Sequence, residues 1–184
     1  MGTLRYGVMT CSLDGYVADA DGSVDFASPS EELHAFVNDL VRDTRVFVMG
    51  RRMFETMRVW DTWPTGQSAV EDDFAEIWAG ADKVVCSDSL TGVEAPRTTF
   101  EPRLTTDRLG EIVAATDGVV EVSGPTTAAE ALRAGMVDEL LLLVTPEVLG
   151  AGLPALPDVA RLHLALTDQR AFDDGTVYLR YARR

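Results

Sequence analysis

The sequence predicts a three-layer α/β sandwich: a mainly parallel central sheet, an antiparallel C-terminal edge, and helices on both faces. Three observations predict it. Short apolar runs alternate with amphipathic helical patterns through most of the chain. Two strand-like segments then arrive together at the end with no helix between them. The 184 residues, 46% of them apolar, suit a single domain over residues 1–184 with one full core.

The elements follow in order. Leu4–Leu13 reads as a buried first strand, and Asp14-Gly15 turns the chain. Tyr16–Ala18 is a short extended piece before the polar loop Asp19–Gly22. A helix follows, with Ser28 as its cap, Pro29 at the first helical position and Glu31 two residues later. Leu33, Phe36, Val37, Leu40 and Val41 form its apolar face, and Arg42 sits in the last turn, where the dipole favours a cation. Arg45–Met49 is a strand broken by Gly50, and Arg51–Met57 a helix. Trp60–Gly66 is a loop and Val70–Ala79 a second amphipathic helix. Lys83–Cys86 and Thr98–Phe100 are strands, Thr106–Ala115 a helix. Val119–Val122 is a strand stopped by Ser123-Gly124-Pro125, and Thr126–Ala134 a helix ended by Gly135. Glu139–Val144 is a buried strand, Pro146–Pro157 a loop, and Leu162–Leu166 with Thr176–Tyr181 the closing antiparallel pair.

The formal net charge of −14 argues against nucleic acid and against an anionic membrane surface, both of which need basic patches. Cys11 and Cys86 lie in apolar runs and read as buried free thiols, a sparse usage that suits the cytoplasm. No C-x-x-C or H-E-x-x-H pattern is present, so no metal site is expected. Arg5 and Asp14 bracket too short an apolar stretch for a signal peptide, and the longest aliphatic run, Leu140–Val144, cannot span a bilayer. Gly150-Ala151-Gly152-Leu153-Pro154-Ala155 matches the dinucleotide pattern G-x-G-x-x-A, but Pro154 and Pro157 deny it the helix that gives the pattern its meaning.

Three strand ends carry chemistry suited to a phosphate-rich ligand. Gly50 followed by Arg51 and Arg52 combines close backbone approach with positive charge. Ser87 and Ser89 place hydroxyls after a strand. Ser123, Gly124, Pro125, Thr126 and Thr127 form a small-residue turn into a helix N-terminus. Ligands of parallel sheets gather at the carboxyl ends of strands, so together these make an anion-binding edge. Asp14, ending the first strand, reads either as a turn aspartate or as a carboxylate reaching substrate. Asp25, Phe26 and His34 could face the same cleft, and Trp60 and Trp63 are either core or a wall for a flat heterocycle.

These segments resemble a known family. Ser12-Leu13-Asp14-Gly15 is similar to the opening strand of the riboflavin-biosynthesis reductase domain, the C-terminal domain of RibD. Met49–Glu55 resembles a segment shared with dihydrofolate reductase, and Val84–Leu90 the strand whose following serine contacts the adenosine end of NADPH. Gly135-Met136-Val137-Asp138-Glu139-Leu140 and Pro146–Gly152 resemble two further family segments, and His34, Phe36 and Asn38 match small stand-alone members. The resemblance implies a dihydrofolate-reductase-like fold with NADPH across the strand ends. Gly50, Arg51 and Arg52 would hold phosphates, Ser87 and Ser89 would flank adenosine, Ser123–Thr127 would cradle the pyrophosphate, and Asp14 would approach the nicotinamide. Pro125 stands where a second glycine is commoner, which removes one N–H. The implied reaction is hydride transfer to a C=N or C=O of a small heterocyclic or sugar-amine compound, most concretely 5-amino-6-(5-phosphoribosylamino)uracil. The alternatives are a dihydrofolate reductase proper and a non-catalytic nucleotide-binding protein. Resemblance and the apolar strands Leu140–Val144 and Val177–Tyr181 lead us to expect a homodimer.

Overall fold

Strand β1 (Thr3–Cys11) lies inside an eight-stranded sheet, and its residues are buried or half-buried throughout. The computed structural model describes residues 2–157 and 161–184. After β1 come a short β2 (Tyr16–Ala18) and α1 (Glu31–Val41), then β3 (Thr44–Gly50), α2 (Arg51–Met57) and α3 (Ala69–Gly80). Next are β4 (Asp82–Cys86), β5 (Thr98–Glu101), α4 (Thr106–Ala115), β6 (Val119–Ser123), α5 (Pro125–Arg133) and β7 (Glu139–Val144). The chain closes with β8 (Leu153–Pro154), β9 (Leu164–Ala171) and β10 (Val177–Arg183). The sheet order is β5-β4-β3-β6-β1-β7-β10-β9, parallel from β5 to β7 and antiparallel at β10 and β9.

Alternation along the strands divides the core in two. One face carries Leu4, Tyr6, Val48, Val120, Val122 and Leu140, packed on Leu109 and Ile112 of α4 and Ala128 and Leu132 of α5. The other face carries two separate clusters. Phe47, Met49 and Val85 meet Phe54, Phe74 and Trp78 of α2 and α3. Leu141, Leu143 and Tyr178 meet Leu33 of α1, with Phe36, Val37 and Leu40 alongside. Val8 touches both clusters. No helix among the described residues is long and apolar enough to cross a membrane.

Five expectations need correction. α1 begins at Glu31, because Ser30 and not Ser28 is its cap: the Ser30 hydroxyl accepts the Leu33 amide at 3.2 Å, while Ser28 uses its own on the Asp25 carbonyl. The segment after α2 is a 3₁₀ turn over Arg58–Thr62 before it becomes loop. β9 runs to Ala171, well past Leu166, because its ladder with β10 sets its length and its exposed residues show no apolar alternation. Leu153–Pro154, expected as loop, pairs with β2 in a small second sheet. Of the two thiols, Cys11 is buried and Cys86 only half-buried, and both are free; burial pushes them up to about 11 and about 12.

A charged network lies under α1 on the two-cluster face. Arg5, only 2% exposed, donates to the Leu40 carbonyl at 2.8 Å and to Asp43 at 3.1 and 3.3 Å, and its Nε meets Glu139 at 3.4 Å. Glu121 on central β6 is 3% exposed and lies 3.8 Å from the Arg5 guanidinium. Burial dominates over the nearby arginine and pushes the Glu121 carboxyl up from 4.5 to about 8. The native state therefore keeps a proton that the unfolded chain releases near 4.5, and its stability falls as pH rises through the window between those values. Melting curves of the wild type and Glu121→Gln from pH 5 to pH 9 should show this. The wild-type Tm is expected to fall relative to the variant by roughly 5 °C or more across the range. Parallel curves would mean that Glu121 is ionised throughout.

Candidate functional site

The register brings the three anion-suited turns side by side. Gly50 lies opposite Cys86, and Met49 opposite Ser123, so the ends of β4, β3 and β6 form one continuous edge. A Cβ at Gly50 would stand 2.8 Å from the Thr127 hydroxyl, so the β3 and β6 turns touch only because residue 50 is glycine. Gly124 has φ +89°, which lets β6 turn sharply into α5 with Pro125 at its first position. The Ala128 amide already bonds the Gly124 carbonyl at 3.0 Å, which leaves the Thr126 and Thr127 amides as first-turn donors. Ser123 and Pro125 are buried, Gly124 and Thr127 half-buried, Thr126 exposed. The Ser87 hydroxyl orders its own turn by accepting the Ser89 and Leu90 amides at 3.2 Å each, and it lies 3.2 Å from the Ser89 hydroxyl.

Charge at this edge is only weakly neutralised. Arg42, Arg97, Arg108 and Arg170 each hold a carboxylate at 2.5–2.9 Å. Arg51 is exposed, with Glu55 at 3.8 Å, and exposed Arg52 has no acidic partner within ion-pair distance among the described residues. The donor set of two available guanidiniums, serine and threonine hydroxyls, and helix-start amides fits a phosphorylated nucleotide.

The ladder leaves a gap beside this edge, a crevice between β1 and β6. β1 pairs with β6 only as far as Tyr6 opposite Val122, then shifts register and continues against β7 alone, from Met9 opposite Leu142 to Cys11 opposite Val144. At the shift a Cβ on Gly7 would fall 2.4 Å from the Leu141 carbonyl oxygen, so the β1 backbone is pressed against β7 and parts from β6. Strand alternation puts Val8 and Thr10 of β1 and Ser123 of β6 on the side facing the two clusters. Val8 and Thr10 are only half-buried, although buried clusters flank them.

Asp14 ends the β1 turn as an exposed carboxylate held by three donors. The Ser12 hydroxyl reaches it at 2.6 Å, the Leu149 amide at 3.1 Å and the Gly150 amide at 2.7 Å. These bonds hold its carboxyl below the usual carboxylate range, so it has no proton to give near neutrality. Asp14 thereby clasps the β1–β2 turn to the 146–152 loop. The Leu13 amide on the Glu147 carbonyl at 2.7 Å and the Ala155 amide on the Gly15 carbonyl at 2.8 Å extend the clasp. The G-x-G-x-x-A segment belongs to it as strand β8, with no helix following; a Cβ at Gly152 would collide with the Ala18 carbonyl.

The remaining candidates separate into two groups. His34 and Trp60 meet with ring centroids 6.0 Å apart, and Trp60 also packs on Trp63 at 4.5 Å and Phe74 at 4.8 Å. This aromatic group is half-buried and joins the α3 cluster, and burial pulls the His34 imidazole below its ordinary value. Asp25 and Phe26 lie in a one-turn 3₁₀ helix before α1; Asp25 is exposed and Phe26 half-buried. Asp25 bonds only locally, its amide donating to the Ser23 hydroxyl and its carbonyl accepting from the Ser28 hydroxyl, and among the described residues no side-chain hydrogen bond ties it or Phe26 to the edge or the crevice. Val8, Thr10 and Glu121 escaped sequence reading, since a strand register shift has no residue signature beyond the glycine at 7.

An uncharacterized protein, YwjB, of Bacillus subtilis (strain 168) is 24% identical over 174 residues, which cover 94% of this chain and 93% of that protein. A candidate riboflavin biosynthesis protein from Shewanella sp. PV-4 superposes with a TM-score of 0.73 at 20% identity, over 100% of this chain and 99% of that one. Dihydrofolate reductase from Enterococcus faecalis, solved with NADP(H) and RAB-propyl, gives a TM-score of 0.64 at 13% identity over 99% and 96% of the two chains. The fold is thus dihydrofolate-reductase-like, as the sequence implied. The model of the RibD C-terminal domain matches residues 7–178, and the chain belongs to that family.

Proposed function

We propose that the protein is an NADPH-dependent reductase that passes a hydride to a C=N or C=O group of a small heterocyclic or sugar-amine compound. The observation that carries this reading is the juxtaposition of an under-neutralised anion edge with a crevice between two parallel strands, at the carboxyl ends where α/β sheets bind ligands. Arg51 and Arg52 would take the 2′-phosphate, and Ser87 and Ser89 would flank the adenosine. The Thr126 and Thr127 amides, in the turn of Ser123, Gly124 and Pro125, would hold the pyrophosphate. NADPH when bound would supply the hydride; the protein supplies orientation and exclusion of water. Val8, Thr10 and Ser123 would contact the ring, while Asp14, His34, Trp60, Asp25 and Phe26 would lie on the substrate side. Asp14, being ionised, would orient a substrate N–H or O–H and not protonate it. 5-Amino-6-(5-phosphoribosylamino)uracil is the substrate to try first.

We also propose a homodimer. Leu141, Leu143 and Tyr178 are spent on the monomer core beneath α1. On the other face of the same strands, however, Leu142, Val144, Leu179 and Tyr181 stay half-buried, and Leu166 is 52% exposed. A second copy would cover them.

Three measurements test these readings. Calorimetry should give tighter binding of NADPH than of NADH, and Arg51→Ala with Arg52→Ala should weaken NADPH about tenfold while barely touching NADH; equal losses for both nucleotides would reduce the arginines to a structural role. Asp14→Asn offers one carboxyl-type acceptor in place of two, so amide exchange at Leu149 or Gly150 should speed up. If Asp14 also orients substrate, turnover should fall about a hundredfold at unchanged NADPH affinity. Turnover that merely follows the melting temperature would confine Asp14 to the clasp. Light scattering at micromolar concentration should give twice the 20.0 kDa chain mass, and a monomer mass would reject the dimer.

A further inference from the structure

Glu121 has no part in the reading above, yet it sits where that reading is most demanding. It lies on central β6, two residues before Ser123, and its side chain is buried on the face of the crevice. Its Oε1 accepts the Val8 amide at 3.2 Å. Val8 falls in the gap of the β1 ladder, after Tyr6 and before Met9, where neither neighbouring strand supplies a partner in register. A buried amide left unbonded is costly, so the carboxyl substitutes for the missing ladder bond. Its other oxygen, Oε2, is buried with no hydrogen bond, and the Arg5 guanidinium stands 3.8 Å away.

The groups around it are few. Arg5 faces it from β1, and Asp43 from the turn after α1. Glu139 of β7 lies beyond Arg5, and Arg180 and the unpartnered Tyr178 hydroxyl of β10 lie further out. From β3 the neighbour in register is apolar Phe47. Burial opposes ionisation of Glu121, Asp43 adds to that, and Arg5 works against both.

We propose that Glu121 is the positioning residue of the crevice: it holds the bulged turn of β1 in place beside β6, and its ionisation couples to the charge of a ring bound there. The proposal rests on the cofactor reading. A nicotinamide ring is neutral when reduced and positive when oxidised. An ionised Glu121 beneath it favours the oxidised ring, and a protonated one does not. By linkage, the oxidised nucleotide then binds better as pH rises, and the reduced nucleotide does not.

Two readouts decide it. In the nucleotide-free protein, the NMR shift of the Val8 amide should titrate near pH 8 in the wild type and stay flat in Glu121→Gln. Calorimetry should show the affinity ratio of NADP⁺ to NADPH rising about tenfold between pH 6 and pH 9 in the wild type, and staying level in the variant. The 2′-phosphate titrates in both nucleotides and cancels from the ratio. A wild-type ratio that ignores pH, or one that moves equally in the variant, overturns the coupling. A Val8 shift that does not titrate overturns the positioning role. If neither nucleotide binds at any pH, the cofactor reading fails and takes the coupling with it, while the Val8 titration still decides whether Glu121 holds the bulge.

Discussion

The parting of β1 from β6 at Gly7 is the constraint on which the candidate site depends. A parallel sheet in full register has no room between adjacent strands, since neighbours lie about 4.8 Å apart and their ladder bonds are all used. Here β1 is bonded to both neighbours up to Tyr6 and to β7 alone beyond it. Gly7 makes this possible, because any side chain there would strike the Leu141 carbonyl. The same step leaves the Val8 amide without a strand partner, and a carboxylic acid inside the core answers it. One glycine thus opens the crevice, and one buried glutamate satisfies the backbone group that the opening exposes. The carboxyl end of β1 must then be fixed by other means, and the Asp14 clasp to the 146–152 loop does so.

Most of the architecture was legible in the sequence because it depends on local patterns. Helix α4 and strand β7 fall on the expected residues, since Thr105 caps the one by accepting the Arg108 amide and Glu139–Val144 is uninterrupted aliphatic apart from its first residue. Gly135 ends α5 region with φ +63°, as a left-handed stop should. What failed depended on partners distant in sequence. β9 is polar over Thr167–Arg170 and becomes a strand only because β10 offers a ladder. β8 is two residues with a proline, which no pattern identifies, yet it lines up with Tyr16 and Ala18 from more than a hundred positions away.

The candidate site was legible to the same degree and for the same reason. The turns at Gly50, Ser87 and Ser123 announce themselves by residue type, and parallel topology brings them together once the strand order is known. The sequence left open whether Asp14 turns the chain or meets a ligand. The structure supplies the turn partner through Ser12 and adds two amides from a loop 135 and 136 positions away, which local chemistry could not anticipate. Arg5 and Glu121 gave no signal because charged residues inside a strand read as outward-facing positions. Here they point inward under α1, where Leu40, Asp43 and Glu139 receive the guanidinium.

Charge distribution connects these local facts to function. A chain with net charge −14 repels a polyanionic nucleotide at long range, so any such ligand must be held by short-range contacts that outweigh the overall field. Screening limits that field to about 8 Å at physiological ionic strength, which makes the immediate surroundings of a phosphate decisive. Over much of the surface, arginines are consumed by nearby carboxylates, as Arg42 is by Asp73 and Arg108 by Glu101. At the start of α2 the neutralisation is loose, with Glu55 at 3.8 Å from Arg51 and no described acidic partner for Arg52. The adjoining turns at Ser87 and Ser123 bring hydroxyls and helix-start amides and no carboxylate except that of Asp88. Arg51 and Arg52 thus leave two cations available at the carboxyl edge of the sheet. That place adjoins the crevice, so a ligand held there by its phosphates would have its uncharged portion directed between β1 and β6.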